Sequence, residues 1–323
     1  MSKLPKGTHA KNQTDKAKPE YEHSLSLLPL KSDVVFKLVF GDARYIDIIR
    51  AFLVAALDIP EEEYDNLKII DPHLERDSPD DKLGILDVRV QLKNKKIISV
   101  EIQVKEIPFM AERVAFSTGR NLSRQISPGQ KYSQIAKVIT IVITNYDIID
   151  SDDYYHHKFW LYDPEKKVGL TNIMEIHTLE MKKLPESTSD NSKENELIDW
   201  LRLIRSERRE EIEMLATKTP EMEMAVGRLK QLSADEKTRM LYESRELYIM
   251  DEMARMEGAE ARGEARGRTS GRAEGEAIGI AKGEREKALA MAKGLLAKNI
   301  SLDIIAEVSG LSLDELWELE KKA

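Results

Sequence analysis

Two runs of alternating residues, ILDVRVQL over 85–92 and IISVEIQVK over 97–105, are separated only by the turn-like Lys93-Asn94-Lys95 and by Lys96. In the first, Leu86, Val88, Val90 and Leu92 alternate with Asp87, Arg89 and Gln91. In the second, Ile98, Val100, Ile102 and Val104 alternate with Ser99, Glu101, Gln103 and Lys105. A two-residue period is that of a half-buried strand, and the short polar connector predicts a hairpin. With a three-residue loop, Leu92 pairs with Lys96, Val90 faces Ile98, Val88 faces Val100 and Asp87 faces Glu101. A slip of one residue would mix the apolar and polar faces, so the pattern selects this register. It places two carboxylates directly across from each other, with Cβ atoms ~4.5–5.5 Å apart.

Opposed carboxylates repel, and a divalent cation removes that penalty. Mg²⁺ is served by one or two carboxylates together with waters and phosphate oxygens. Gln103 follows Glu101 by two residues on the same polar face. A metal held by an Asp and a Glu, with a polar side chain two places on, is a layout suited to phosphodiester cleavage. The ion polarises a phosphate oxygen and lowers the pKa of a bound water, while the third side chain orients that water or touches the phosphate. Spacing alone leaves an ordinary polar strand face open as the alternative.

The flanking sequence predicts alternating helices and strands. Ser32 is placed to cap a helix with Val35, Phe36, Val39 and Phe40 on one face, stopping near Gly41. A second helix is expected over 45–57, a short strand over 67–70, and an acidic loop holding Pro72, Pro79 and Gly84. Pro108 opens a helix over 109–125, and KVITIVIT (137–144) reads as a strand buried on both faces. A further strand pair is expected at 158–162 and 173–179. This is the pattern of an α/β or α+β domain.

Beyond Pro185 the polar stretch ESTSDNSKEN reads as a linker, after which only helix signals remain. The expected organisation is a basic, disordered arm over 1–24, a folded domain over 25–185, a helical region over 186–284 and a small helical unit over 285–323. Thr219-Pro220 starts one helix, and Ser233 with Glu236 forms a capping box for the next. Gly263, Gly267, Gly271, Gly275, Gly279 and Gly283 recur at steps of four, keeping to one slowly drifting side of a helix. Each costs that helix ~1 kcal/mol against Ala, so a flexible or partner-stabilised helix is expected. At the end, Ser301, Gly310 and a Ser312/Glu315 capping box divide the last helices with the rhythm of a helix-turn-helix. Asp314, Glu315, Glu318 and Glu320 in its final helix would repel phosphates, which favours an interaction or oligomerisation cap.

Composition narrows the setting. The 323 residues include no cysteine, which excludes disulfides and thiolate metal sites. No apolar run reaches the ~18 residues of a membrane span, and the N-terminus lacks a secretory core, so a cytoplasmic protein is expected. The net charge of −8 conceals two basic stretches. One is the arm with Lys3, Lys6, Lys11, Lys16 and Lys18, read as a solvated tail. The other is Lys105, Arg113, Arg120, Arg124, Lys131 and Lys137. His156-His157 has no third ligand at suitable spacing, and adjacent strand residues point to opposite faces, so no metal is expected there. No GxGxxG follows a strand, which argues against a nucleotide cofactor.

The segments SDVVFKLVFGD (32–42), LDVRVQLKNKKIISVEIQV (86–104) and MAERVAFSTGRNLSRQISPGQKYSQIAKVITIVIT (110–144) together resemble the recombination-promoting nuclease and transposase family of the PD-(D/E)XK superfamily. The resemblance runs over about residues 31–184, and the glycine-repeat tail also looks like that family's C-terminal region. It implies a restriction-endonuclease-like α/β core, a mixed sheet flanked by helices, followed by a long helical region. It further implies a DNA endonuclease dependent on Mg²⁺ or Mn²⁺, with Asp87 and Glu101 as metal ligands. Gln103 would stand where the superfamily usually carries Lys. A glutamine supplies no positive charge, so Lys105 or Lys82 would have to help the metal stabilise the transition state. Asp33 is a candidate accessory acid, with a dipole-favoured first-turn Asp as the alternative. Gln125 is a candidate to face the site. Lys105, Arg113 and Arg124 are candidates for DNA phosphates, with plain surface charge as the alternative. The rival expectation is a nuclease fold without activity, binding DNA or assembling into homo-oligomers through its C-terminal helices.

Overall fold

A computed structural model describes residues 26–70, 88–186 and 192–321. The basic arm at 1–24, Lys82 and Asp87 lie outside these residues. Contacts divide the chain into one unit reaching to Arg245 and a second running from Glu246.

In the first unit, α1 (Asp33–Phe40) and α2 (Ile46–Ala56) come first, then β1 (Lys68–Ile70), β2 (Val88–Gln91) and β3 (Ile97–Gln103). After β3 come α3 (Met110–Ser123), β4 (Val138–Thr144), β5 (His156–Asp163) and β6 (Val168–Glu180). The strands form one mixed sheet in the order β1-β2-β3-β4-β6-β5. β3, β4 and β6 run parallel, whereas β1–β2, β2–β3 and β5–β6 are antiparallel. The hairpin has the register set by its hydrophobic pattern, with Val88 opposite Val100 and Val90 opposite Ile98. Leu92 N–H donates to the Lys96 carbonyl at 2.9 Å, and Lys95 closes the loop at φ 68°. β4 is buried along its whole length, as its unbroken apolar run requires.

One face of the sheet carries the main core. Val88, Val90, Ile98, Val100, Ile102, Ile139, Ile141 and Ile143 pack there against Phe36 and Phe40 of α1 and Phe52 of α2. Trp200, wholly buried, meets the rings of Phe40 and Phe52 edge-on at 5.7 and 6.3 Å. Trp200 lies in α4 (Ser192–Arg205), followed by α5 (Arg209–Ala216) and α6 (Pro220–Ala234). Their side chains Leu201, Ile204, Ile212, Leu215, Val226 and Leu229 belong to the same core. The boundary expected near Pro185 is therefore displaced. The last four residues of the polar stretch read as a linker start α4, and the helices behind it complete the core of the sheet.

The other face is covered by α3. Its Met110 and Val114 pack on Val142 and Tyr146, and the Thr118 hydroxyl meets that of Thr140 at 2.8 Å. This cover makes Ser99 and Glu101 buried, where simple alternation led one to expect a half-exposed strand.

Two helix starts differ from expectation. Ser32 occupies the N-cap of α1 but makes no capping hydrogen bond. Ser233 is buried in α6, its hydroxyl donating to Leu229 and accepting from Leu28 N–H. The following helix α7 (Glu236–Leu296) is started instead by Asp235, which accepts from Thr238 N–H at 2.9 Å. Thr219 caps α6 as its sequence indicates, accepting from Met222 N–H.

In the second unit, α7 continues without interruption through the glycine repeat. A Cβ at Gly263, Gly267, Gly271, Gly275, Gly279 or Gly283 would meet nothing within 4 Å. The end of α7 packs with α8 (Leu302–Ser309) and α9 (Leu313–Glu320) around Ala292, Ile305, Leu311 and Leu316. Gly310 ends α8 at φ 71°, and the Ser312/Glu315 capping box opens α9. Among the described residues, no helix is long and apolar enough to cross a membrane.

Candidate active site

β3 divides its side chains between the two layers. Ile98, Val100 and Ile102 enter the main core, and Ser99, Glu101 and Gln103 turn to the α3 side. The parallel register places Glu101 beside Val142 and Gln103 beside Thr144 on β4. These positions lie toward the carboxyl ends of the parallel strands, where open α/β sheets gather their ligands.

Glu101 is 5% exposed. Its Oε1 accepts no hydrogen bond among the described residues. The nearest cation is Arg113 of α3, whose Nη2 stands 3.5 Å from that oxygen. At this length the contact is an ion pair and not a well-formed hydrogen bond. Burial pushes the Glu101 carboxyl above the usual carboxylate range, and the guanidinium offsets this only in part. Tyr146, just beyond β4, is also buried, and its hydroxyl has no hydrogen-bond partner among the described residues. Burial, together with the carboxylates of Glu101 and Glu106, pushes that hydroxyl up to about 12.

Gln103 donates from Nε2 to the carbonyl of Lys105 at 2.9 Å, folding its amide along its own chain. Lys105 is exposed. Among the described residues, no group of three or more His, Asp or Glu side chains is gathered to hold a metal. Glu101 nonetheless has the chemistry of a ligand to a hard cation. It is a buried oxygen donor with an unserved lone pair, in surroundings that penalise its charge until a cation compensates it. Asp87, the expected second ligand, precedes β2 immediately and falls outside the described residues.

Other expected site residues are engaged elsewhere. Asp33 does not join Glu101. Arg245 of α7 grips its Oδ2 through Nε at 2.8 Å and Nη2 at 2.6 Å, and Oδ1 accepts from Val34 N–H. Its helix packs on the opposite face of the sheet, so the accessory-acid expectation is corrected to a structural ion pair. Gln125 is likewise a clamp. Its amide donates to the Ala136 carbonyl at 3.0 Å and accepts from Ala136 N–H at 2.8 Å, which uses both ends of the side chain. Arg113 faces Glu101, and Arg124 is exposed at the C-cap of α3. His156 and His157 point apart, as adjacent strand residues must. His156 meets His177 at 2.8 Å and His157 meets Asp152 at 3.0 Å.

Sequence reasoning missed Tyr146 and the Arg113–Glu101 pair. The position of Tyr146, two residues past the end of a central parallel strand, was the available signal. It also missed a buried polar chain on the main-core face. There His177 contacts Glu175 at 2.7 Å, and Lys137 contacts the other Glu175 oxygen at 2.6 Å. Against the upward push of burial, those two partners hold Glu175 well below the usual carboxylate range. Nothing local joins these positions in sequence, because strand pairing alone brings them together.

The family described as PD-(D/E)XK nuclease family transposase matches residues 30–259, most of the chain. The chain belongs to that family. Its mixed sheet with helices on both faces is the PD-(D/E)XK core, and α7 provides the helical tail. The match runs past Pro185 through α4–α6, in keeping with the core those helices complete. The family is one of nucleases, and its members act in the setting of transposition by description. No curated protein and no solved structure matches the chain.

Proposed function

We propose that the protein is a metal-dependent DNA endonuclease that hydrolyses phosphodiester bonds at Glu101, with Asp87 as the second ligand to Mg²⁺ or Mn²⁺. The observation that carries this reading is the buried, unserved Oε1 of Glu101 within a PD-(D/E)XK core. The hairpin register adds support, because Val88 at the start of β2 stands opposite Val100, the neighbour of Glu101 in β3. When bound, the cation supplies Lewis-acid polarisation of the phosphate and a water of lowered pKa. Glu101 fixes that cation through a rigid strand in the middle of the sheet. Arg113, at 28% side-chain exposure, offsets part of the cost of the buried carboxylate and reaches toward solvent where a phosphate would approach. Gln103 offers its amide oxygen to orient water, while its N–H stays committed to Lys105.

The test is plasmid nicking with Mg²⁺ or Mn²⁺ by the full chain and by Asp87→Ala and Glu101→Ala. Cutting that requires the metal and disappears in both variants is expected. Cutting that persists in both rejects the assignment.

A second reading, a nuclease fold that binds DNA or assembles without cutting, draws on two observations. Arg113 already stands as an ion-pair partner beside Glu101, and Gln103 brings no positive charge of its own. Calorimetric titration separates the two: absence of metal binding by the intact protein favours the second.

A further inference from the structure

The helix that covers Glu101 leaves two large aromatic rings on its outer flank. Phe116 is 71% exposed and Phe109, at the N-cap, is 78% exposed. Large aromatic rings left in water on a single helix need an explanation that scattered aliphatic residues do not. Phe109, Arg113, Phe116, Arg120 and Arg124 are spaced by steps of four, three, four and four. Such steps keep side chains on one helical face. Arg113 fixes which face this is, since its guanidinium touches Glu101. Aromatic rings therefore alternate with arginines along a stripe that ends against the candidate active site. The one acid of α3, Glu112, lies in the first turn, three residues after Phe109 and four before Phe116, so it borders the aromatic end of the stripe, whereas the part beyond Phe116 carries only arginine charge. Phe109 is held at φ 60°, a left-handed conformation unusual for a bulky residue, with its ring turned out of the core.

We infer that this stripe is a docking track for single-stranded DNA, with bases stacking on Phe109 and Phe116 and phosphates meeting the arginines. The inference rests on the nuclease reading and names the form of its substrate. A duplex hides its base faces in its own stack, so it would have no use for two solvent-facing rings, whereas an unpaired strand has a π-face on every base. Alternating aromatic and cationic side chains give sequence-tolerant binding of this kind.

The test uses the full chain in chelator, so that binding is read without cutting. Fluorescence anisotropy compares a single strand of about 20 nucleotides, the same strand made abasic at several positions, and the duplex. Phe116→Ala and Phe109→Ala are each expected to weaken single-strand binding about tenfold, with abasic and duplex affinities changing little. Phe116→Trp should retain tight binding and Phe116→Leu should lose it, which separates stacking from general greasiness. Equal loss on the abasic strand, unchanged single-strand affinity in both Ala variants, or full rescue by Leu would overturn the inference. Thermal melts of the exposed-site variants confirm that each is folded. Metal-dependent duplex cutting with indifference to Phe116 would sink this inference alone. A Phe116-dependent single-strand preference without any cutting would sink only the hydrolytic reading.

Discussion

Replacing Glu101 with Met removes a buried charge while keeping nearly the same volume, and the structure fixes the sign of the result. In wild type without metal, burial outweighs the attraction of Arg113, so ionising Glu101 costs more in the folded protein than in the unfolded chain. A raised folded-state pKa contributes stability below the unfolded value of about 4.3, which is lost as pH rises through the folded value. In chelator, Glu101→Met should therefore match wild type near pH 4 and exceed it increasingly toward neutrality. An unserved buried acceptor costs ~1–3 kcal/mol. For a unit of this size each kcal/mol moves Tm by about 2–4 °C, so the variant should melt about 2–12 °C higher. Arg113 does not reverse the sign, because its partly exposed side chain can turn to water. Metal then acts in the opposite direction. At a concentration of about 100 Kd, Mn²⁺ adds ~2.7 kcal/mol to wild type and nothing to a variant without the ligand. Differential scanning fluorimetry over pH, with chelator or Mn²⁺, reads all of this. A variant less stable than wild type in chelator would show that the Arg113 pair supports the fold. Equal stabilisation of both proteins by Mn²⁺ would remove Glu101 from the metal site.

Two further outcomes follow from neighbouring contacts. Gln125→Ala abandons both backbone groups of Ala136 and should lower stability by ~2–3 kcal/mol in urea melts, leaving DNA affinity within about twofold; a selective loss of DNA binding would return Gln125 to the interface. Burial first, and then the neighbouring His177, bring His156 down to about 4. Stability from this group is present above the unfolded value of ~6.5 and is lost as pH falls from there toward 4, by up to about 3 kcal/mol. His156→Gln should flatten that acid limb, and an unchanged slope between pH 6.5 and 4.5 would refute the reasoning.

The legible parts of this protein are those encoded locally. The alternation in 85–105 and the three-residue connector specified the hairpin register, and the run at 137–144 specified the central strand. Thr219-Pro220, Gly310 and Ser312/Glu315 marked helix ends because capping depends on residues a few positions apart. Illegible features depend on partners distant in sequence. Glu101 became buried because α3 settles over it, and no pattern within β3 announces that cover. Asp33 looked available until Arg245, more than two hundred residues on, came to hold it. A polar stretch after Pro185 resembled a linker because the apolar face of α4 is declared only from Leu197 onward, by Trp200, Leu201 and Ile204. Ser233 satisfied a capping pattern that Asp235 satisfied better.

The division of β3 between two layers has a consequence for how such a protein can change over generations. Val100 and Ile102 have to reach the large core, so the strand cannot creep along its neighbours without pushing a carboxylate into oil and a row of aliphatics under α3. Whatever descends from this sequence and still folds will present position 101 to the same helix. Loss of its chemistry would come by exchanging side chains on an unmoved backbone, and an inert descendant would keep the outline of the site as a readable scar.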